Sequence, residues 1–429
     1  MKHVFKNIIV FILTLEARLV LLKYRPRIIA ITGTVGKTAA KDAIHTALRD
    51  AFFVRASEKS FNSDIGVPLT ILGRDNAWYN PLKWLGIFVE GLALIFLKNH
   101  YPKVLVLEVG TDRPGDIGRI ASWLRPDTVV VTAFAEVPVH VEFFESRDAL
   151  IREKALLASA VKKGGTLVLN GDDPDVAALK REEGRAVVFF GTQENAHIRA
   201  SHSEILYAPD DSPSGISARV HYKNNLFPLV IKGTIGAHFV YAILAALAVG
   251  ITEERNILSL LESLQAFEVP PGRGKLLSGA RGAILIDDSY NASPKAVLAA
   301  LDALQAVKIK GRKIAVLGDM LELGKYTADE HRKVGARAAE VSDIVVSVGA
   351  RAELISEEAR SRGKTKENTF HFGDAKSAGV FLKDMIQEGD IVLVKGSQSM
   401  RMERVVSTLL KNPEDKKFLA RQEPEWMGK

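Results

Sequence analysis

The stretch "RIIAITGTVGKTAAKDAIHTAL", residues 27–48, constrains the chain more than any other. A β-rich run leads into Gly33-Thr34-Val35-Gly36-Lys37-Thr38, and a helix-forming segment follows at once. A glycine-rich turn between a strand and a helix points backbone N–H groups at an anion, and the helix dipole favours negative charge there. In such a loop Gly33, Thr34 and Gly36 let the backbone approach phosphate. Lys37 neutralises the β- and γ-phosphates, and the Thr38 hydroxyl binds magnesium. Ile31 stands where the longer Walker spacing would have its first glycine. The bland alternative is a chance Gly-Lys turn; the strand before it and the helix after it favour nucleotide binding.

The surrounding pattern predicts an α/β fold. Runs "RIIAIT", "KVLVLEVG", "DTVVVTAF", "GTLVLNG" and "AVVFFG" alternate with helical segments, which argues a mainly parallel sheet covered on both faces. Residues 197–232 read as a small antiparallel excursion, and two helices over 236–267 close the unit. "EVPPGRGK" at 268–275 has a linker's Pro and Gly content. Strands "AILIDD", "KIAVLGD", "DIVVSVG" and "DIVLVKG" then form a second, Rossmann-like series. The expected organisation is an apolar N-terminal helix over 1–26, a P-loop-type ATPase domain over 27–269 and a C-terminal domain over 270–429, with the tail beyond 412 loosely ordered.

A chain of 429 residues is long enough for two or three cores. The absence of cysteine excludes disulfides, thiol nucleophiles and thiolate metal sites, and it fits a reducing, cytoplasmic setting. A formal charge of +7 favours anionic partners. Nucleic acid is not expected among them, because no basic stripe with interleaved aromatics appears. The apolar stretches at 8–15 and 84–98 fall short of the roughly 20 residues that span a bilayer, and Glu16, Arg18 and Glu90 interrupt them. They are either core helices or surfaces lying on the inner face of a membrane, with Lys2, Lys6, Lys23 and Arg25 near headgroups.

Magnesium needs further oxygen ligands. Glu108 ends an otherwise apolar strand, where ligands of open α/β sheets collect, and is either a metal ligand or a helix-capping charge. His140, in "EVPVHVEFF", follows another strand and is a metal candidate or an ordinary loop histidine. In "SRDALIREKALLASAVKK", Lys154 shares the apolar stripe of Leu150, Leu157 and Val161. Either it snorkels to the rim, or desolvation leaves a neutral amine that takes up carbon dioxide and offers a carbamate oxygen to the metal.

The stretches "ITGTVGKT", "SFNSDIGVPLTIL", "VLEVGTDRPGDIGRI", "HVEFFESRDALIREK", "LNGDDP", "GRGKL", "IDDSYNASP", "VLGDMLELG" and "VLVKGSQSMRME" follow one another from residue 27 to about 410. In that order they resemble the Mur ligases, ATP-dependent amide-bond formers of peptidoglycan synthesis. The resemblance implies that Lys37 and Thr38 hold phosphate and magnesium, that Glu108 and His140 hold metal, and that Lys154 is carbamylated. It implies that Arg273 touches the terminal phosphate, Asp288 the ribose and Asn291 the adenine. Asn62, Asp319, Glu322, Lys395 and Ser397 are substrate-positioning candidates, each also readable as a cap or loop residue. The implied reaction phosphorylates a substrate carboxylate with ATP to an acyl phosphate. The amine of a D-alanyl-D-alanine dipeptide then attacks the acyl phosphate of a UDP-N-acetylmuramoyl-tripeptide-type acceptor, and phosphate leaves.

Several positions depart from the family pattern. Only about 26 residues precede the phosphate loop's strand, where relatives usually carry a UDP-gripping domain. Phe239 and Ala242 replace expected asparagines, Leu156 an expected acid, and two extra residues precede His140. The competing expectations are a ligase of the same fold with a lipid-linked or polyglutamate-type acceptor, and a nucleotide-hydrolysing switch.

Overall fold

The computed structural model describes residues 2–57, 61–78, 80–137, 140–181, 185–423 and 426. The side chain of Lys2, expected near headgroups in the N-terminal helix, lies outside the described residues.

Uninterrupted apolar runs are stable as strands only where both faces are covered. The first sheet collects β1 (Arg27–Thr32), β2 (Val54–Ala56), β3 (Val104–Glu108), β4 (Thr128–Val131), β5 (Thr166–Asn170), β6 (Ala186–Gly191), β7 (Ile198–Tyr207), β8 (Pro213–Tyr222) and β9 (Asn225–Lys232). Their spatial order is β2-β3-β1-β4-β5-β6-β7-β8-β9. Pairing is parallel up to β7 and antiparallel from β7 to β9. Residues 197–232 therefore extend the main sheet, because Ile198 and Arg199 pair with Phe190 and Gly191 before the hairpins begin. One face is covered by α2 (Lys37–Leu48) and the helix His238–Thr252. The other is covered by α1 (Lys2–Tyr24), α3 (Gly66–Leu72), α4 (Pro81–Phe96), α5 (Asp116–Ala121) and α6 (Arg147–Ser159).

Past 268–274 the chain enters a second sheet of β10 (Lys275–Ser278), β11 (Ile284–Asp288), β12 (Lys313–Gly318), β13 (Ile344–Val348), β14 (Thr369–Phe372) and β15 (Ile391–Lys395). Its order is β10-β11-β15-β12-β13-β14, parallel except for β10. The tail is better ordered than its composition suggests: Pro413–Phe418 forms a short 3-10 segment, and Leu419, Ala420 and Arg421 are buried.

Helix α1 stops where Arg25 turns left-handed (φ 48°) before Pro26, which cannot donate to a continuing helix. Its Ile9, Leu13, Ala17 and Val20 share a core with Trp84 and Ile87 of α4. Glu16 is trapped in that seam, 4% exposed, against Gly91. Burial pushes its carboxyl up to about 7. The two helices run with their carboxyl ends together: Lys23 Nζ donates to the Leu94 carbonyl (2.8 Å), as does the Tyr24 hydroxyl (3.0 Å). No helix among the described residues is long and apolar enough to cross a membrane.

Candidate active site

The carboxyl ends of β1, β3, β4 and β5 face those of β11 and β15 across a cavity of about 580 Å³. The strand-to-helix turn expected at 33–38 forms its floor. Gly33 takes φ 138°, and a Cβ there would lie 2.1 Å from Thr132 Oγ1, so no other residue fits without moving that wall. The end of β4 clamps the turn: Thr34 N donates to the Ala133 carbonyl (2.7 Å) and the Thr132 hydroxyl to the Val35 carbonyl (2.6 Å). Lys37 starts α2 and folds back, donating from Nζ to the Gly33 carbonyl at 3.0 Å. Loss of water around it pulls its pKa down.

Glu108, 2% exposed, accepts from the Thr38 hydroxyl (3.0 Å) on one oxygen and from Asn62 Nδ2 (3.1 Å) on the other. Lys154 does not snorkel. It is 4% exposed and points its amine inward, 3.3 Å from the same Gly33 carbonyl that Lys37 uses. Burial, then repulsion from Lys37, pushes it down to about 7.

His140 lines the cavity in a left-handed conformation (φ 72°). Its Nδ1 lies 2.5 Å from Glu322, and its Nε2 lies 3.5 Å from Asp112. His140 holds the Glu322 carboxyl below its usual range. The structure thus turns His140 toward the loop after β12, and among the described residues no three His, Asp or Glu side chains converge on one point.

From the segment that joins the two sheets comes Arg273, stacked 4.1 Å over the Tyr290 ring, and from the second sheet the buried pair Asp288–Lys395 (2.7 Å). Lys395 also donates to the Asn291 carbonyl (3.1 Å), so its charge is spent on the loop that carries Asp288 and Asn291. Arg273, Asp288, Asn291 and Lys395 all line the cavity. Asp319 instead accepts from Arg351 N (3.0 Å) and Ala352 N (2.7 Å), and Ser397 Oγ accepts from Leu321 N (2.9 Å). These two residues shape neighbouring loops, and neither they nor Glu322 is in the cavity wall.

Sequence reasoning did not single out Asp112, Asp172, Tyr241 or Lys295 as site residues, yet all line the cavity, beside His238, which the family resemblance keeps ahead of Phe239 and Ala242. Tyr241 donates to Asp172 (2.8 Å), and burial pushes His238 down to about 4, leaving it neutral. Lys295 reaches from the second domain to the Phe134 carbonyl of the first (3.1 Å). The available signal was position: Asp172 follows β5 in "NGDDP", and Lys295 follows the helix-starting Pro294.

Comparison with known proteins agrees with this geometry. Residues 91–250 match the Mur ligase middle domain, and residues 272–398 match the Mur ligase glutamate ligase domain. The UDP-N-acetylmuramoyl-tripeptide–D-alanyl-D-alanine ligase of Bacillus subtilis is 27% identical over 389 residues, spanning 90% of this chain and 76% of that protein. The Escherichia coli ligase of the same name is 28% identical over 390 residues, spanning 90% and 77%. A solved MurF ligase from Thermotoga maritima in complex with ADP superposes with a TM-score of 0.76 at 26% identity, covering 95% of this chain and 84% of that one. Two domain matches in sequence order, on two sheets that share one phosphate-loop cavity, show that the chain belongs to the Mur ligase family of ATP-dependent ligases.

Proposed function

We propose that this chain joins the amine of a D-alanyl-D-alanine dipeptide to the terminal carboxylate of a UDP-N-acetylmuramoyl-tripeptide-type acceptor in the cytoplasm, with ATP activating the carboxylate as an acyl phosphate. The observation that carries the reading is the meeting of the phosphate loop with Arg273, Asp288 and Asn291 of the second domain in one cavity. The remaining amides of 33–38, Thr34's being spent on Ala133, hold the phosphates, and Lys37 and Arg273 offset the charge that spreads over the transferring group. Asp288 and Asn291 face the ribose and the base. Lys295 ties the two domains beside the site, and their closure keeps water from the activated carboxylate.

The donor set fits magnesium: the Thr38 hydroxyl and the Glu108 carboxylate are hard oxygen ligands already side by side. Bound there with the nucleotide phosphates, the ion would supply Lewis-acid charge neutralisation. Lys154 adds to that set if its neutral amine attacks carbon dioxide: a C–N bond forms, the amine loses one proton, and a carbamate oxygen faces the cavity. His140 stands at the edge of the site as a further candidate ligand.

Product formation tests the assignment. Purified protein with ATP and magnesium is offered UDP-muramoyl-tripeptide, a lipid-linked precursor or a glutamyl acceptor, each with D-alanyl-D-alanine, D-alanine or glutamate. A new amide with the first acceptor and the dipeptide, lost in a folded Lys37→Ala variant, is expected. Nucleotide hydrolysis with every pair and no amide product would overturn it.

A further inference from the structure

Helix α4 buries Trp84, Ile87 and Gly91 and turns Leu82, Leu85, Val89, Leu92 and Phe96 outward, at 47–79% exposure. The spacing i, i+3, i+7, i+10, i+14 makes them a single stripe along its length. On a helix facing only water that stripe would be polar. Helix α1 repeats the pattern: Phe5, Ile8, Phe11, Leu15 and Leu22 are exposed at 47–70%, beside the buried Ile9, Leu13 and Val20. Because the helices lie side by side, carboxyl ends together, with their buried faces on one core, the two stripes form one apolar face. Patches of this extent mark interaction surfaces.

We infer that this face docks on a bilayer surface rich in anionic lipid. The charges at its margins decide the occupant. Lys6, Arg18, Lys23, Arg25, Lys83 and Lys98 are exposed on or beside the two helices. Lys6 lies 3.4 Å from Asp64. The only acids within α1 and α4 are Glu16, buried in the seam, and Glu90, which pairs with Arg74 at 2.9 Å. A broad apolar face bordered by cations, with its acids buried or paired, is complementary to acyl chains under anionic headgroups. Long basic side chains at the border reach the phosphate level while their stems stay apolar. The docking is independent of the ligase assignment.

Sedimentation with vesicles tests it, using the full chain. Phosphatidylcholine vesicles containing phosphatidylglycerol should pull down the protein, and high salt or pure phosphatidylcholine should weaken binding. The triple variant Phe11→Gln, Leu85→Gln, Phe96→Gln should lower partitioning at least tenfold with ATP turnover intact. Lys83→Glu with Lys98→Glu, at exposed positions that leave the core alone, should do the same selectively for the anionic vesicles. A full chain that stays in the supernatant, or both variants partitioning like the parent, overturns the inference. So does a dimer by light scattering that the triple variant dissociates without any lipid binding, which would assign the face to a second copy.

Discussion

A protonated Lys154 would set a second cation beside Lys37 with a single carbonyl, that of Gly33, to accept from both. Burial and that repulsion hold its pKa near 7, so the reactive neutral amine grows as pH rises through that value and is lost below it. Activity at constant dissolved carbon dioxide should therefore climb between about pH 6 and pH 8. Labelled bicarbonate should give a carbamate carbon resonance that vanishes in Lys154→Ala, and that variant should lose at least roughly a hundredfold in turnover, partly restored by a short carboxylate. A parent protein with no such resonance and an active alanine variant would sink the carbamate. Periodicity alone placed Lys154 on an apolar stripe; which way its tip turns depends on the Gly33 carbonyl, more than a hundred residues away in sequence. The same limit explains Asp319 and Ser397. A polar residue at a strand end looks alike whether it faces a ligand or holds up a loop, and only the partners Arg351, Ala352 and Leu321 tell the two apart.

In the α1–α4 seam, Glu16 is a carboxyl whose folded pKa, about 7, lies above its unfolded value of 4.5. Its contribution is complete below the unfolded value, declines as pH rises from there, and is gone above about 7. Glu16→Gln should accordingly flatten the stability profile across that window and exceed the parent near neutrality by about 2–3 kcal/mol, as measured by denaturant melts at several pH values. A parallel loss of stability in both proteins would mean the carboxyl is solvated. The regular strands were legible because buried parallel strands carry unbroken apolar runs, as β3, β4 and β15 do. Strand β2, three residues with an arginine in the middle, and β14, "TFHF", carry no such run and exist only because a neighbour pairs with them. The antiparallel strands after β6 were legible as strands, while their place in the main sheet rests on a two-residue pairing with no sequence signature.

Across the whole molecule, the C-terminal segment braces the site from behind. Arg421, 6% exposed, donates to Glu403 (2.8 Å) and to the Ser289 (3.4 Å) and Tyr290 carbonyls, and lies 5.0 Å from the Tyr290 ring on whose plane Arg273 also stacks. Arg421→Ala leaves Glu403 buried with Arg401 as its cation and frees the 288–291 loop. It should cost about 3 kcal/mol of stability and raise the KM for ATP more than it lowers kcat; unchanged nucleotide affinity in the variant would restrict the arginine to a folding role. The two α/β series were legible in their apolar runs, whereas this brace was not, because the tail's charged, Pro-containing composition conceals three buried residues. One covalent bridge joins the two sheets, and Arg273 sits within it between Gly272 (φ 68°) and Gly274 (φ 80°), after Pro270 and Pro271. A point near a pivot travels least. If the domains swing about this bridge, Asn291 and Lys295 sweep toward and away from residues 33–38 while Arg273 stays nearly still, an axle pin that keeps its charge in place through every stage of the stroke.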